Sequence, residues 1–266
     1  MKRFKLIVAY DGTNYCGWQV QPNEKTIEGE LNRVLTQLTG EKIEVIGASR
    51  TDAGVHAYGN VAVFDADTPI PGEKLMFAVN AHLPADIRVV DSCEIDPHFH
   101  PRHCDTKKTY EYHIQTGHTP FPTRRLYCHW IPRRLDTEAM KQAGQYLVGT
   151  HDFKSFCSSK TQVKTTVRTV TRIDVREIPT DCPGQNEVII EVEGEGFLYN
   201  MVRIISGTLI KVGLHGWSPE KIIDILEARD RCAAGETVPA QGLFLKKIEY
   251  LEKNECQAFL KMSQDK

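Results

Sequence analysis

The chain has 266 residues, of which 41% are hydrophobic and 26% charged, a composition typical of a globular protein with a substantial core. No apolar run approaches the roughly 18 to 20 residues of a membrane span, and the first apolar stretch meets Asp11 too early for a secretory signal, so we expect a soluble, cytoplasmic protein. The net charge of −2 hides an uneven distribution, because residues 98–176 hold fourteen Lys or Arg against six Asp or Glu.

The first part of the chain alternates strand and helix patterns. Apolar residues recur every three or four positions in the predicted helices and nearly alternate in the predicted strands. In chain order we predict a strand at 4–10, a helix from 27 to a glycine stop at 40, strands at 43–48 and 60–65, a helix at 71–82 and a strand at 87–95.

The second part of the chain repeats this style. Asp136 opens one predicted helix as its N-cap, and Ser218 followed by Pro219 opens another. In order we predict a strand at 108–115, a helix at 136–148, strands at 166–178 and 188–192, helices at 197–212 and 218–229, and a strand at 243–250. The pattern predicts an α+β fold with halves at 1–104 and 105–251 and a polar tail at 252–266.

Residues 50–57, with the sequence RTDAGVHA, are the first candidate site. They place one guanidinium and one carboxylate after an apolar strand and directly before a glycine turn. Such a bend would raise the Asp52 side chain from the sheet edge, where a short carboxylate can act as nucleophile or base on a bound ring. On this segment alone, a surface pair of Arg50 and Asp52 that closes a turn is the simpler interpretation.

Further segments extend the pattern in a fixed order along the chain. They are YDGTNY at 10–15 with GWQ at 17–19, RTDAGVHA at 50–57, LPADI at 83–87, FHPR at 99–102, KTYEY at 108–112, HDF at 151–153, FLYNMVR at 197–203 and GLFL at 242–245. Any one of them would be weak evidence, but together and in order they are specific. By these segments the chain resembles the tRNA pseudouridine synthase A family along nearly its whole length.

This resemblance implies a fold, a reaction and partners. The implied fold has two similar strand-and-helix halves that form a mixed, mainly antiparallel sheet flanked by helices, with a central cleft. The implied activity is isomerisation of uridine to pseudouridine in the anticodon stem-loop of tRNA, at positions 38, 39 and 40, without cofactor or metal. The family resemblance also implies a homodimer with tRNA as its partner.

The resemblance further assigns roles to individual residues. Asp52 becomes the catalytic aspartate, acting as nucleophile or base, and Tyr110 stacks on the target base and is placed for proton transfer. Arg203 lies in an otherwise apolar helix, where an unpaired guanidinium would be costly if buried, and the family pairs it with Asp52. Arg50 is expected to hold a flanking phosphate or help expel the base, and Leu245 to line the uracil pocket.

Contacts to RNA are expected from the basic part of the chain. Aromatic residues such as Tyr112 and Trp130 are interleaved with its cations, a mixture that suits a phosphate backbone with stackable bases. A solvated basic face without a ligand is about as probable on composition alone. The predicted RNA-binding residues are Arg102, Lys107, Lys108 and His56.

A cluster of potential zinc ligands is discounted. Cys93, His98, His100, His103 and Cys104 follow no common structural-zinc spacing. Part of the cluster also belongs to the FHPR segment of the family. We therefore predict no metal site.

Two other functions stay open from the residues. One is a non-catalytic RNA-binding α+β module, which would bind RNA without forming product. The other is a carboxylate hydrolase of N-glycosidic bonds, which would release free uracil, although no second acid is obvious beside Asp52. The chemical route that Asp52 would use also stays open, because attack on the sugar carbon, addition to the uracil ring and proton abstraction from the sugar all require the same carboxylate.

Overall fold

The computed structural model describes residues 1–158, 163–180 and 184–251, so the predicted tail at 252–266 lies outside the described residues. The chain divides into two compact units. The first unit comprises residues 1–107 with 245–251, and the second comprises residues 108–244. Both combine helices with mainly antiparallel strands, and the predicted α+β class is confirmed.

Within the described residues the chain forms ten strands and five α-helices. The strands are β1 (Lys2–Tyr10), β2 (Ile46–Gly47), β3 (His56–Ala66), β4 (Ile87–Ile95), β5 (Thr106–Thr116), β6 (His129–Ile131), β7 (Gly149–Asp152), β8 (Val167–Pro179), β9 (Asn186–Gly194) and β10 (Leu243–Tyr250). The helices are α1 (Ile27–Thr39), α2 (Leu75–Asn80), α3 (Thr137–Gln145), α4 (Met201–Gly213) and α5 (Lys221–Ala228). In this described part, no helix has the length and apolarity needed to cross a membrane.

Helix α1 begins and ends where its sequence predicts. The Thr26 hydroxyl caps the amino end by accepting the Gly29 N–H, and Gly40 ends the helix with a φ of 74°. Ile27 and Leu31 are among its fully buried residues, because apolar side chains four apart share one helix face. Strands β4 and β10 also match their predicted bounds.

Other predicted bounds were wrong, and local backbone geometry explains two of them. The helix expected from residue 197 begins at Met201, since Asn200 adopts a left-handed conformation with φ 61° and ψ 8°. The helix expected from Ser218 begins at Lys221, whose N–H donates to the Ser218 carbonyl in a preceding turn. Strands β6 and β7 were missed because three or four residues are too few to show alternation.

The sheet of the first unit has the strand order β4-β1-β3-β10, with β2 also paired to β3. Strand β1 is antiparallel to β3 in a register that opposes Phe4 to Phe64 and Val8 to Asn60. The register shifts between Val8 and Tyr10, where β1 approaches its end. Helix α2 packs on β4, and the Asn80 side chain bonds both the N–H and the carbonyl of Val89.

The sheet of the second unit has the order β5-β9-β8-β7, and its two faces differ in chemistry. One face is apolar because Tyr112, Ile190 and Val175 occupy matching positions on β5, β9 and β8. Helix α3 packs on this side of β8, where Gly144 lies against Ile173. We call the opposite side of the same strands the charged face; it carries Glu111, His113, Arg172, Arg176, Glu187 and Glu191.

His113 lies between two carboxylates on the charged face. Its Nδ1 is 2.6 Å from Glu187 Oε1 and its Nε2 is 3.3 Å from Glu111 Oε2. Arg176 donates to Glu111 at 2.6 Å, and Arg124 bonds Glu187. Burial lowers the pKa of His113, but the hydrogen bonds to both glutamates outweigh it and raise the pKa above its ordinary value.

We expect His113→Gln to lower the free energy of unfolding by about 1 to 3 kcal/mol at pH 6. The raised pKa means that the folded state binds a proton more tightly, so the stabilisation is complete below the unfolded pKa and fades as the pH rises through the folded one. Urea unfolding at pH 6 and pH 9 measures this. His118→Gln, which replaces an exposed histidine of the same unit, is the control. A loss of stability in His113→Gln that grows as the pH rises would contradict the expectation.

Candidate active site

Asp52 lies in an irregular loop between β2 and β3, which we call the Asp52 loop (residues 48–55). The strand expected to run to residue 48 ends at Gly47 and the strand expected from residue 60 begins at His56, so the loop is shorter than the sequence predicts. The Val55 N–H closes a turn on the Asp52 carbonyl at 3.1 Å, and Gly54 has a φ of 76°. The turn leaves Asp52 partly exposed between buried Thr51 and buried Val55.

The segment of residues 10–18 supports the Asp52 loop from beneath. The Trp18 N–H donates to the Thr51 carbonyl at 3.0 Å, and the Gly54 N–H donates to the Tyr15 carbonyl at 3.3 Å. The Tyr15 hydroxyl in turn donates to Asp86 at 2.6 Å. These bonds fix the backbone of the loop on both sides of Asp52.

Two glycines allow this close approach of backbones. A Cβ atom on Gly12 would lie 2.0 Å from the Val55 carbonyl oxygen, and one on Gly17 would lie 2.6 Å from that of Thr51. Gly17 also has a φ of 87°, which other residues rarely adopt. The packing of the Asp52 loop therefore explains why glycine stands at positions 12 and 17 of the opening segment.

Gly17→Ala is expected to destabilise the protein by roughly 2 to 4 kcal/mol, since it combines left-handed strain with a backbone clash. Gly40→Ala is the matched control, because Gly40 has a φ of 74° but nothing within 4 Å of the added Cβ. That variant should cost only about 1 kcal/mol. Chemical denaturation of both variants measures the contrast, and equal losses would show that the clash with the Thr51 carbonyl is relieved.

His56 is placed differently from its expected role in RNA binding. Its side chain is buried at the start of β3, where Nδ1 accepts the Gly12 N–H at 3.1 Å and lies 3.1 Å from Asp11 Oδ1. A ring enclosed in this way cannot reach RNA from the surface. It holds the 10–18 segment against the start of β3, and this burial does not suit the predicted contact with RNA.

The other predicted site residues of the first unit differ in their exposure to solvent. Arg50 is exposed at the start of the Asp52 loop, and Arg102 is exposed in the turn that follows Phe99. Lys107 is partly exposed near the start of β5, whereas Leu245 on β10 is fully buried. Arg50 and Arg102 are thus accessible to phosphate groups, and their roles stay predictions.

Tyr110 lies on β5 in the second unit. Its ring is 5.3 Å from the Phe197 ring at an interplanar angle of 86°, an edge-to-face contact that fixes its orientation. Tyr112, two residues on, is fully buried and donates its hydroxyl to the Pro239 carbonyl at 2.9 Å. Tyr110 and Tyr112 share a face of β5 as predicted. Lys108, which is partly exposed, lies two residues before Tyr110 on the same face.

Arg203 lies in the first turn of α4, also in the second unit. Its Nε donates to the Val238 carbonyl at 2.7 Å and its Nη1 to Asn200 Oδ1 at 2.9 Å. The left-handed Asn200 that delays the helix therefore also positions the guanidinium. Because Asp52 belongs to the first unit, the pairing of Arg203 with Asp52 stays a prediction.

The histidines of the discounted zinc cluster interact with each other. The rings of His100 and His103 stack with centroids 3.7 Å apart and an angle of 17° between them. Burial, and then the nearby positive charges of His103, Arg102 and Arg3, lower the pKa of His100. Over the described ranges, no group of three or more His, Cys, Asp or Glu residues is arranged to hold a metal ion.

Sequence reasoning missed the residues that support the site. Tyr10, Thr51 and Asn60 form a buried hydrogen-bonded chain behind the Asp52 loop. A signal was present, since Asn60 interrupts the apolar pattern of β3 with a polar side chain at a position that faces the core. Its partners could not be found from the sequence, because they are far away along the chain.

Comparison with known proteins identifies the class of enzyme. The sequence profile of the family described as tRNA pseudouridine synthase matches residues 6–103 and 143–251. These ranges contain Asp52 and Arg203, while Tyr110 lies between them. The chain belongs to the tRNA pseudouridine synthase family, and the predicted class, an isomerase that acts on uridine in tRNA, is confirmed.

Individual relatives are similar over nearly the full length of this chain. It is 44% identical over 251 residues to tRNA pseudouridine synthase A of Acetivibrio thermocellus, covering 94% of this chain and 100% of the relative. The protein of that name from Thermoanaerobacter sp. (strain X514) is 45% identical over 250 residues, with the same coverage. The tRNA pseudouridine synthase A 2 of Clostridium tetani is 46% identical over 252 residues, covering 94% and 99%.

Proposed function

We propose that the chain converts uridine to pseudouridine in the anticodon stem-loop of tRNA, at positions 38, 39 and 40. The observation that carries the proposal is the Asp52 loop, which holds a partly exposed carboxylate on a backbone fixed by the 10–18 segment. A rigid backbone beneath a reactive side chain is what orientation of a catalytic group requires. The family profile covers this loop and its support.

The reaction explains why one carboxylate is enough. The bond between the sugar and N1 of uracil breaks, the base turns, and a new bond forms between the sugar and C5, while the C5 proton moves to N1. No oxidation and no net hydrolysis occur. A glycosidase, by contrast, uses two carboxyl groups to protonate the leaving group and activate water.

Each predicted residue of the catalytic pocket has a role in the proposed reaction. Asp52 acts as nucleophile or base, and Arg203 pairs with it and keeps it ionised. Tyr110 replaces the stacking that a flipped-out base loses, worth about 1 to 3 kcal/mol per base. Leu245 contributes an apolar wall to the uracil pocket, and Arg50 holds a flanking phosphate.

Binding of the tRNA depends on cations outside the pocket. Arg102 is exposed, and Lys107 and Lys108 are partly exposed. Contacts of this kind follow the shape and phosphates of the RNA more than its base sequence. Because bound phosphates release counterions, affinity for tRNA should fall as the salt concentration rises.

The test is incubation of the purified protein with an unmodified tRNA transcript, followed by mapping of pseudouridine along the tRNA. Product at positions 38 to 40 supports the proposal, and product elsewhere in the tRNA contradicts its assignment to the anticodon arm. Binding without any product would favour the RNA-binding module, and release of free uracil would favour the hydrolase.

We also propose that the protein is a cytoplasmic homodimer. The support is the family resemblance, in which one subunit holds the body of the tRNA while the partner acts on the loop. Light scattering should then give twice the chain mass of 30.1 kDa. A monomeric mass in active protein would contradict the dimer, and cell fractionation tests the location.

A further inference from the structure

A buried chain of hydrogen bonds leads from the interior of the first unit to the residue before Asp52. The Thr51 hydroxyl lies 2.8 Å from the Tyr10 hydroxyl, and Asn60 Nδ2 lies 3.4 Å from the same Tyr10 oxygen. Asn60 Nδ2 also donates to the Ser49 carbonyl at 2.9 Å. Asn60, Tyr10 and Thr51 are 0%, 5% and 7% exposed.

The side-chain amide of Asn60 is the donor at one end of this chain. Its two N–H groups point to the Ser49 carbonyl and the Tyr10 oxygen, both of which accept. The Tyr10 hydroxyl in turn shares a hydrogen bond with Thr51 Oγ1, in which either hydroxyl can donate. The Asp52 loop is thereby held at residues 49 and 51, on either side of Arg50.

The position of Asp52 follows from this attachment. The Thr51 carbonyl is already fixed by the Trp18 N–H, and it belongs to the same planar peptide unit as the Asp52 nitrogen. Anchoring the Thr51 side chain as well leaves little freedom in the residue before the carboxylate. The Asp52 carbonyl is held from the other side by the Val55 N–H.

A second observation is that Asn60 leaves one of its own buried polar atoms without a hydrogen bond in the described part of the chain. Asn60 Oδ1 is buried and has no hydrogen-bond partner among the described residues. Buried polar atoms left unpaired are destabilising and uncommon, so an apolar residue would suit this position in β3 better. What the asparagine contributes is its pair of N–H donors to Ser49 and Tyr10.

We propose that Tyr10, Thr51 and Asn60 are positioning residues that orient the carboxylate of Asp52 through the loop backbone, an inference that rests on the proposed function. None of them has to touch the substrate. Their effect is on the rate of the chemical step, which falls steeply when a reacting group is displaced by a fraction of an ångström. Binding of tRNA depends on other groups and is unaffected.

The test compares Tyr10→Phe, Thr51→Val and the double variant, which remove hydroxyl groups and little else. With saturating tRNA, each single variant should lower the single-turnover rate about tenfold, with Kd unchanged. The double variant should be no slower than the slower single variant, because both break the same chain. Thr51→Ser, which keeps the hydroxyl, should restore the rate.

Tyr250→Phe is the matched control for the lost hydroxyl. Tyr250 lies in the same unit, and its hydroxyl donates to the Pro101 carbonyl at 3.3 Å instead of to the Asp52 loop. Its rate should equal that of the unmodified protein. Circular dichroism melting confirms that every variant is folded at the assay temperature.

A second readout separates this inference from the proposed function. Hydrogen exchange of residues 49–55, followed by mass spectrometry, should accelerate in Tyr10→Phe and Thr51→Val but not in Tyr250→Phe. If the unmodified protein makes no pseudouridine, the proposed function fails, and the exchange data still decide whether the chain orders the loop. Unchanged exchange, multiplicative losses in the double variant, or equal rates for Thr51→Ser and Thr51→Val would each overturn the inference.

Discussion

Asp52→Asn is expected to reduce pseudouridine formation by at least about 1,000-fold, because an amide is neither a competent nucleophile nor a base. The change is nearly isosteric and the side chain is partly exposed, so the fold should be retained. Affinity for tRNA should also persist, since the predicted phosphate contacts come from other residues. Rates of tritium release or mapping of modified positions, together with a binding titration, measure the two effects separately.

Asp91→Asn is a suitable control for Asp52→Asn. Asp91 is an exposed aspartate on β4 of the same unit, so the same change in charge is made away from the Asp52 loop. Its activity should be normal. If Asp52→Asn kept more than a tenth of the activity of the unmodified protein, Asp52 would not be the reacting group and the proposed mechanism would have to be abandoned.

Arg203→Ala is expected to lower turnover at least about 100-fold, because the proposed cationic partner of the Asp52 carboxylate is lost. Some stability should be lost too, roughly 1 to 3 kcal/mol, since the guanidinium also bonds the Val238 carbonyl and the Asn200 side chain. The fold should survive a loss of this size. Steady-state kinetics and urea unfolding of the same preparation separate the catalytic effect from the structural one.

Arg231→Ala controls for the structural part of that effect. Arg231 lies in the same unit and makes comparable bonds, to the Gly235 carbonyl at 2.8 Å and to Thr237 Oγ1 at 2.9 Å. It should lose a similar amount of stability but keep its activity. Near-normal turnover in Arg203→Ala, or an equal loss in Arg231→Ala, would remove Arg203 from the catalytic site.

Much of the secondary structure was predictable because its causes are local. Helix α1 carries its own cap residue and glycine stop, and β4 and β10 show apolar patterns along their whole length. Errors occurred where strands are too short to show alternation, as in β6 and β7, and where one residue takes an unusual backbone conformation. The start of α4 depends on the left-handed conformation of Asn200, which the apolar pattern of residues 197–212 does not reveal.

The sequence predicted which residues of the candidate site react, but not the role of every residue beside them. Asp52 and Arg203 stand in segments that identify the family, so their selection needed no coordinates. His56 belongs to the same segment as Asp52, yet its side chain is buried and accepts the Gly12 N–H, a placement that does not suit the predicted contact with RNA. Proximity in sequence to a reacting residue therefore did not indicate the role of its neighbour.

The sequence by itself determined the α+β class, the family and the identity of the predicted catalytic aspartate, because short-range patterns and ordered motifs carry that information. Only the tertiary structure decided how the aspartate is supported. Tyr10, Thr51 and Asn60 meet because β1 pairs with β3 and the Asp52 loop folds back on both. Contacts between residues so far apart along the chain depend on strand pairing and close packing, and no local pattern records them.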